Sequence, residues 1–290
     1  MVNSVLMSIQ VYWGQIFLLP KRVPQEVNSI YRCFIWHGSY NDSRICKVAW
    51  HKLCHEKCEG GLGIRNISLW NVVAVGKVAW VVQNRKEDLW SRWVHHVYLK
   101  QKDWENYQLP VSSSAALKYI CQVKNELYEK LQSWDWLRQP TYQIKVLYKE
   151  INSTHIRPQW SRYVWSRYSL PKHKFILWLS IQEKLQVKDK LWRLGITGDP
   201  DCCLCEGGIE SHAQLLFQRP LTKACFGEIQ QWLGYDQCPN PIDTISLLRW
   251  TSKKHKGNRF CKKVCHAAVT ALIYQNWAAR NGKIWRNEDA

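Results

Sequence analysis

A chain of 290 residues with 46 % hydrophobic side chains has length for about two domains and too much apolar content for a disordered protein. Its 41 lysines and arginines against 23 acidic residues leave a formal net charge of +18, which favours polyanionic partners. Twelve cysteines in so long a chain do not make a small disulfide-stapled scaffold, so reduced thiols in an intracellular protein, nuclear or cytoplasmic, are expected.

Residues 5–20 are apolar but interrupted by Ser8, Gln10, Gly14 and Gln15, and they fall short of the ~20 residues that a membrane helix needs. No membrane partner is expected. Pro24 suits a first helical turn, and Val27, Ile30, Tyr31, Phe34 and Ile35 continue at helical spacing until His37-Gly38. Glu59-Gly60-Gly61-Leu62-Gly63 predicts a tight turn. An apolar helix over about 68–83 and another over about 87–99 follow, the latter with Leu89, Trp90, Trp93, Val94, Val97 and Tyr98 on one face. Pro110 and Ser112 to Ser114 mark a linker, with the serines placed to cap a helix running to about Leu131. A boundary is therefore expected near 105–140, and the one weak strand signal covers Tyr142 to Leu147.

The second half reads as a helix over about 173–184, then a short one after Val187 that packs Leu191 and Leu194. A turn at Gly198-Asp199-Pro200-Asp201 follows. A long last helix is expected from about Arg259 to Ile284, with Val264, Ala268, Ala271, Leu272 and Gln275 as its apolar stripe. The fold class is mainly α: two helical subdomains, with a short irregular cysteine-containing segment in the second. Most of the 18 tryptophans recur at helical spacing and are expected in cores before base stacking.

Two clusters have metal-ligand chemistry. Cys202 and Cys205 form a Cys-x-x-Cys clamp with His212 as the nearest third donor, and Cys225 follows at loose spacing. Zinc and uncoordinated thiols both stay open there, with thiols favoured. His51, Cys54, His55 and Cys58 would share a face if they stood on one helix. No paired aspartates, P-loop, Gly-x-Ser-x-Gly or His-Glu-x-x-His element gives catalysis a visible seat, and two-metal chemistry needs converging carboxylates.

Several stretches together carry a resemblance. They are FIWHG at 34–38, WHKLCHEKCEGGLGIRNISLW at 50–70, PKHKFILWLSIQEKLQVKDKLWRL at 171–194, CCLCEGGIESHAQLLFQRP at 202–220 and LIYQNWAARNGKIW at 272–285. In this order they resemble the C-terminal part of reverse transcriptases from plant non-long-terminal-repeat retrotransposons. The resemblance implies a thumb-like region at 1–105, a linker and helix at 106–145, a degenerate reverse-transcriptase zinc-binding domain at 146–235 and a helical tail at 236–290. It also implies that the palm, with its catalytic aspartates, lies upstream of Met1. Relatives carry a histidine where Gln214 stands and a last cysteine where Arg219 stands, so two of four zinc ligands are absent. A bound cofactor is therefore not expected, and zinc is disfavoured.

The reading that follows is a non-catalytic remnant, not an enzyme, that binds RNA or DNA non-specifically through a basic surface. Lys21, Arg22, Arg65, Arg162, Arg167, Lys172 and Lys174 are the candidate contacts. The degenerate metal set is Cys202, Cys205 and His212. The alternative is an inert or protein-interaction-only product of a decayed element. Neither RNA-versus-DNA preference nor oligomeric state is written in the residues.

Overall fold

The computed structural model describes residues 14–15, 18–37, 47–84, 87–100, 102–205, 208–234, 243–254 and 259–286. Most of the apolar run at 5–20 lies outside them, as does Gly38. The described residues form helices joined by short loops, with one isolated antiparallel bridge, Asp201 to Ile209. The mainly α class is thus borne out, with the irregular cysteine segment in the second half. No described helix is long and apolar enough to cross a membrane. No disulfide forms among the described cysteines. The chain divides into two compact units, residues 1–156 and 157–290.

The first unit is built round α3 (Ile67–Asn84), which follows α1 (Arg22–His37) and the short α2 (Trp50–Cys54). Asn66 starts α3 by accepting the Leu69 amide at 3.3 Å, and the run ISLWNVVAVGKVAWVV is apolar round most of its surface, with only Ser68 and Lys77 exposed. Such a helix must be surrounded. It is packed by α5 (Ala115–Leu131), α6 (Asp135–Arg138) and α7 (Ile144–Asn152), with α4 (Leu89–Val94) beside it. Gly76 permits the close approach: a Cβ there would lie 2.5 Å from Leu127 Cδ1 and 2.7 Å from the Tyr142 hydroxyl. Ser114 caps α5 by accepting the Leu117 amide, as the serine run predicts. Tyr142 to Leu147 supplies no strand; α7 begins at Ile144.

The expected face of α4 is only partly used. Leu89, Trp93 and Val97 are exposed, whereas Ser91, Val94 and Leu99 are buried. A π turn over His95–Leu99 rotates the register after Val94 and swings Leu99 inward. Lys124 is fully buried on α5, its ammonium donating to the carbonyls of Trp104 at 2.7 Å and Glu105 at 2.8 Å. Burial holds its pKa below the ordinary lysine value.

The second unit centres on α13 (Arg259–Arg286), against which α9 (Pro171–Ile181), α11 (Pro220–Trp232) and α12 (Thr244–Lys254) pack. Two short helices, α8 (Ser161–Val164) and α10 (Lys188–Arg193), complete it. Leu191 is buried, but Leu194 is 53 % exposed, because α10 ends at Arg193. The buried side of α13 is Cys265, His266, Val269, Leu272, Ile273 and Asn276, one position off the expected stripe. Of the predicted residues only Leu272 is core; Gln275 is exposed.

Candidate nucleic-acid interface and the cysteine segment

A strongly basic concave surface lies in the second unit. The loop after α8 and the first turns of α13 line a cavity of about 510 Å³ with Arg162, Tyr163, Ser166, Arg167, Tyr168, Arg259, Lys262, Lys263 and His266. A neighbouring cavity shares Arg162, Tyr163 and Lys262 and adds Arg249 and Lys253 from α12. No carboxylate lines either cavity, and none of these cations is ion-paired among the described residues. Clustered cations without counter-charges create a positive potential that concentrates anions.

The polar groups in this cleft fix one another. Arg167 Nη2 donates to the Tyr168 hydroxyl at 2.7 Å, and Lys263 Nζ donates to the same oxygen at 2.8 Å. Those two hydrogen bonds bring the Tyr168 pKa below the usual phenol value. Arg162 Nη2 donates to the Tyr163 hydroxyl at 2.6 Å. His266 is pushed down to about 4, first by burial and then by the charges of Lys262 and Arg162. It is therefore a neutral imidazole at physiological pH, with Ser252 Oγ 2.9 Å from its Nε2.

Of the candidate contacts read from the sequence, the fold brings Arg162 and Arg167 together here. Lys172 and Lys174 stand on α9 and do not line the cleft; Lys172 lies 4.8 Å from the centroid of the Tyr274 ring. Lys21 and Arg22 are exposed at the start of α1, where Arg22 meets Glu26 at 2.6 Å. Arg65 lines a separate cavity of the first unit, which also holds the Lys149–Glu56 ion pair at 2.6 Å. Arg249, Lys253, Arg259, Lys262 and Lys263 escaped the sequence reading. All but Arg249 belong to the cationic run at 253–263, which looks like an ordinary solvated face until α8 is packed beside it.

The cysteine segment has a different construction. Glu210 N donates to Pro200 O at 2.9 Å and Cys202 N to Gly208 O at 3.1 Å, which closes the knuckle carrying Cys202 and Cys205. Ser211 Oγ accepts the Gln214 amide at 3.1 Å and starts the next turn. A π turn over Gln214–Gln218 then delivers two side chains to the sulfurs. Gln214 Nε2 donates to Cys205 Sγ at 3.0 Å, and Arg219 Nε donates to Cys202 Sγ at 3.1 Å.

Arg219 is 2 % exposed and also donates to Glu210 Oε2 at 3.1 Å. Glu210 is completely buried, and its Oε1 accepts from Arg280 Nε at 3.0 Å, Arg280 Nη2 at 2.8 Å and the Lys188 amide at 2.8 Å. Burial raises the Cys202 thiol, but hydrogen bonds from the Leu204 amide, Gln214 and Cys205, with the charge of Arg219, bring it below its ordinary value. Burial and the neighbouring Cys202 raise Cys205.

These residues do not fit a zinc ion. A metal cation would need the sulfur lone pairs that Gln214 and Arg219 engage, and it would share a buried site with two guanidinium cations. His212 does not join the sulfurs: no cluster of three His, Cys, Asp or Glu able to hold a metal occurs among the described residues. Its Nε2 is buried with no hydrogen-bond partner there, and burial lowers its pKa.

The other expected cluster is taken apart by the backbone. α2 stops at Cys54, His55 is extended, and Lys57–Glu59 is a separate 3-10 turn, so residues 51, 54, 55 and 58 share no helix face. The reason is the glycine turn: Gly60 and Gly63 take left-handed φ values of 88° and 68°. A Cβ on Gly61 would stand 2.1 Å from the His55 carbonyl oxygen. Cys54 is buried and its thiol is pushed up to about 12.

Residues 142–225 match a protein family described as zinc-binding in reverse transcriptase. The "Putative ribonuclease H protein" of Arabidopsis thaliana is 31 % identical over 91 residues, covering 31 % of this chain and 15 % of that protein. An uncharacterized mitochondrial protein of Arabidopsis thaliana is 31 % identical over 93 residues, covering 32 % of this chain and 60 % of its own length. The chain therefore spans less than two thirds of either relative. No solved structure matches. The likeness to the C-terminal part of plant reverse transcriptases is borne out by these matches. The expectation that the chain is no enzyme is corrected by them: its relatives include a protein with a ribonuclease's name, in a family associated with enzymatic activity. Missing carboxylate motifs do not decide the catalytic status of this chain.

Proposed function

Taking that kinship with reverse-transcriptase sequences as the premise, we propose that the second unit grips the phosphate backbone of RNA or DNA, without sequence specificity, in the cleft between α8 and α13. One observation carries this reading: Arg162, Arg167, Arg259, Lys262 and Lys263 converge on one concavity that no carboxylate lines. Guanidinium groups hold phosphate oxygens in a fork, while lysines act as point charges. Arg249 and Lys253 extend the same positive surface along α12. Neutral His266 adds no charge of its own and lies within hydrogen-bond distance of Ser252, which lines the neighbouring cavity. Contacts from these cations to phosphate, which is the same at every nucleotide, serve position and affinity.

Fluorescence anisotropy of labelled RNA against the purified chain, at several salt concentrations, tests this. Binding is expected to weaken steeply with salt, with a slope of about 0.7 per neutralised phosphate on a single strand. Arg162→Glu combined with Lys263→Glu is expected to weaken binding and flatten that slope. Absence of binding at low salt by a folded sample, or binding that ignores the double substitution, refutes the proposal. Absence of binding would instead favour the interaction-only alternative.

The cysteine segment, in the same reading, supports the fold and binds no metal. Arg219 and Gln214 engage the two sulfurs, and Glu210 between Arg219 and Arg280 supplies the cross-links.

A further inference from the structure

Beside the basic cleft runs a second concavity of about 640 Å³, and the two share Tyr168, Arg259 and Lys263. Its remaining lining is apolar: Trp232 from the end of α11, then Phe260, Val264, Ala267, Ala268 and Ala271 along α13. Trp232 is 71 % exposed and Phe260 73 %. Val264, Ala268 and Ala271 are the residues that the helical periodicity marks as a core stripe, yet the fold buries the adjacent stripe and leaves this one lining a groove. An apolar stripe withheld from the core, with large aromatics at its edge and a row of cations along one side, has the composition of a surface that takes a ligand both flat-faced and anionic. Phosphate backbone with exposed bases is such a ligand: base faces stack on aromatic rings while cations follow the backbone.

We infer that the two concavities form one site for single-stranded nucleic acid, the strand's phosphates lying over Arg162, Arg167, Lys262 and Lys263 and its bases against Trp232 and Phe260. This rests on the reading of the basic cleft as a nucleic-acid interface. Tyr168 stands at the junction. Its hydroxyl is fixed by Arg167 and Lys263 on the cationic side, and its ring also lines the apolar groove. Duplex presents paired, stacked bases whose faces cannot reach such a groove, so the arrangement selects unpaired strands. The shape and size are adequate, because ligand sites of about 300–1,000 Å³ hold groups of nucleotide size.

The test compares three labelled ligands on the full chain by anisotropy: an oligouridine, a strand of equal length with abasic sites, and an RNA duplex. The oligouridine is expected to bind about tenfold more tightly than the abasic strand, the scale of base–aromatic stacking. Trp232→Ala with Phe260→Ala should bring the oligouridine down to the abasic level without abolishing binding, and Trp232→Phe should restore part of the difference. Circular dichroism confirms that the variants fold; both side chains are largely exposed, so their loss opens no core. Equal binding of all three ligands, unchanged by the aromatic substitutions, overturns the inference and leaves backbone binding intact. Preferential duplex binding also overturns it. No binding by any ligand removes the cleft reading and the inference with it. Self-association in sedimentation that disappears with Trp232→Ala, alongside equal binding of the three ligands, assigns the groove to a second copy and overturns the inference.

Discussion

Glu210→Gln removes a single negative charge from a place where two buried guanidinium groups depend on it. In the native chain Glu210, Arg219 and Arg280 are 0 %, 2 % and 1 % exposed, so solvent screens none of these contacts. Glutamine keeps the shape and can still accept the Lys188 amide at the former Oε1 position. What it cannot supply is the charge that balances Arg219 on one oxygen and Arg280 on the other. Removing one partner of a buried ion pair costs about 3–5 kcal/mol, because the remaining charge stays desolvated. For a unit of this size that corresponds to a fall in Tm of about 10–20 °C. Arg219→Met should cost less, since Glu210 keeps Arg280 and the buried positive charge falls. Adding Arg219→Met to Glu210→Gln should therefore recover part of the loss, a non-additivity expected of one network. Urea unfolding of the full chain, followed by tryptophan fluorescence and circular dichroism, measures the shift. The exposed Arg22–Glu26 pair is the control: Glu26→Gln should leave the transition in place. The reasoning fails if Glu210→Gln moves the transition by less than about 1 kcal/mol. It fails equally if a chelator unfolds the native second unit, since a metal would then be holding the segment.

Three further outcomes follow from particular contacts. Gln214→His with Arg219→Cys replaces the two donors that now approach Cys205 and Cys202 at 3.0 and 3.1 Å with zinc-ligating groups. The double variant should gain zinc by elemental analysis while the native chain carries none. His266, at about 4 against its ordinary 6.5, binds its proton more weakly folded than unfolded. Its contribution is thus complete above pH 6.5 and lost as the pH falls towards 4, about 3 kcal/mol in all. Burial lowers His173 and His212 in the same direction, and His266→Gln should shrink the acid loss seen in unfolding curves. Gly61→Ala sets a methyl group against the His55 carbonyl oxygen and should cost the first unit about 2–3 kcal/mol in chemical denaturation. Gly198→Ala meets no atom within 4 Å and serves as the neutral comparison.

Local chemistry made the helices legible and left their facing ambiguous. The capping serine at 114, the proline at 171 and the glycine turn at 59–63 each act within a few residues, and the fold uses each as its chemistry dictates. Facing failed where a helix carried two apolar stripes. On α13, Val264, Ala268 and Ala271 form one; Cys265, Val269, Leu272 and Ile273 form the next. Periodicity ranks these nearly alike, and only α9 and α12 packing on the second decides between them. The π turn at 95–99 produced the other slip, since its extra residue per turn breaks a 3.6-residue pattern that one sequence does not announce.

The two candidate sites differ in how far the sequence could take them, and the difference is one of sequence separation. The basic cleft joins Arg162 and Arg167 to Arg259, Lys262 and Lys263, 92 to 101 residues further along the chain, so no local pattern foretold their meeting. The cysteine segment is local, and it was the family resemblance, not the residues alone, that marked Gln214 and Arg219 as departures from a ligand pattern. What could not be read is why an arginine is tolerable there. An arginine at this position is a buried cation, and alone it would destabilise the fold. It is stable here because Glu210, nine residues before it, and Arg280, seventy residues beyond Glu210, already form a buried pair with one oxygen of the carboxylate left to accept. Arg219 completes that carboxylate's coordination with its Nη2 and turns its Nε to the Cys202 sulfur. The same side chain thereby ties the buried carboxylate of Glu210 to the Cys202 sulfur, a charge-assisted link that a neutral aliphatic residue at 219 could not make.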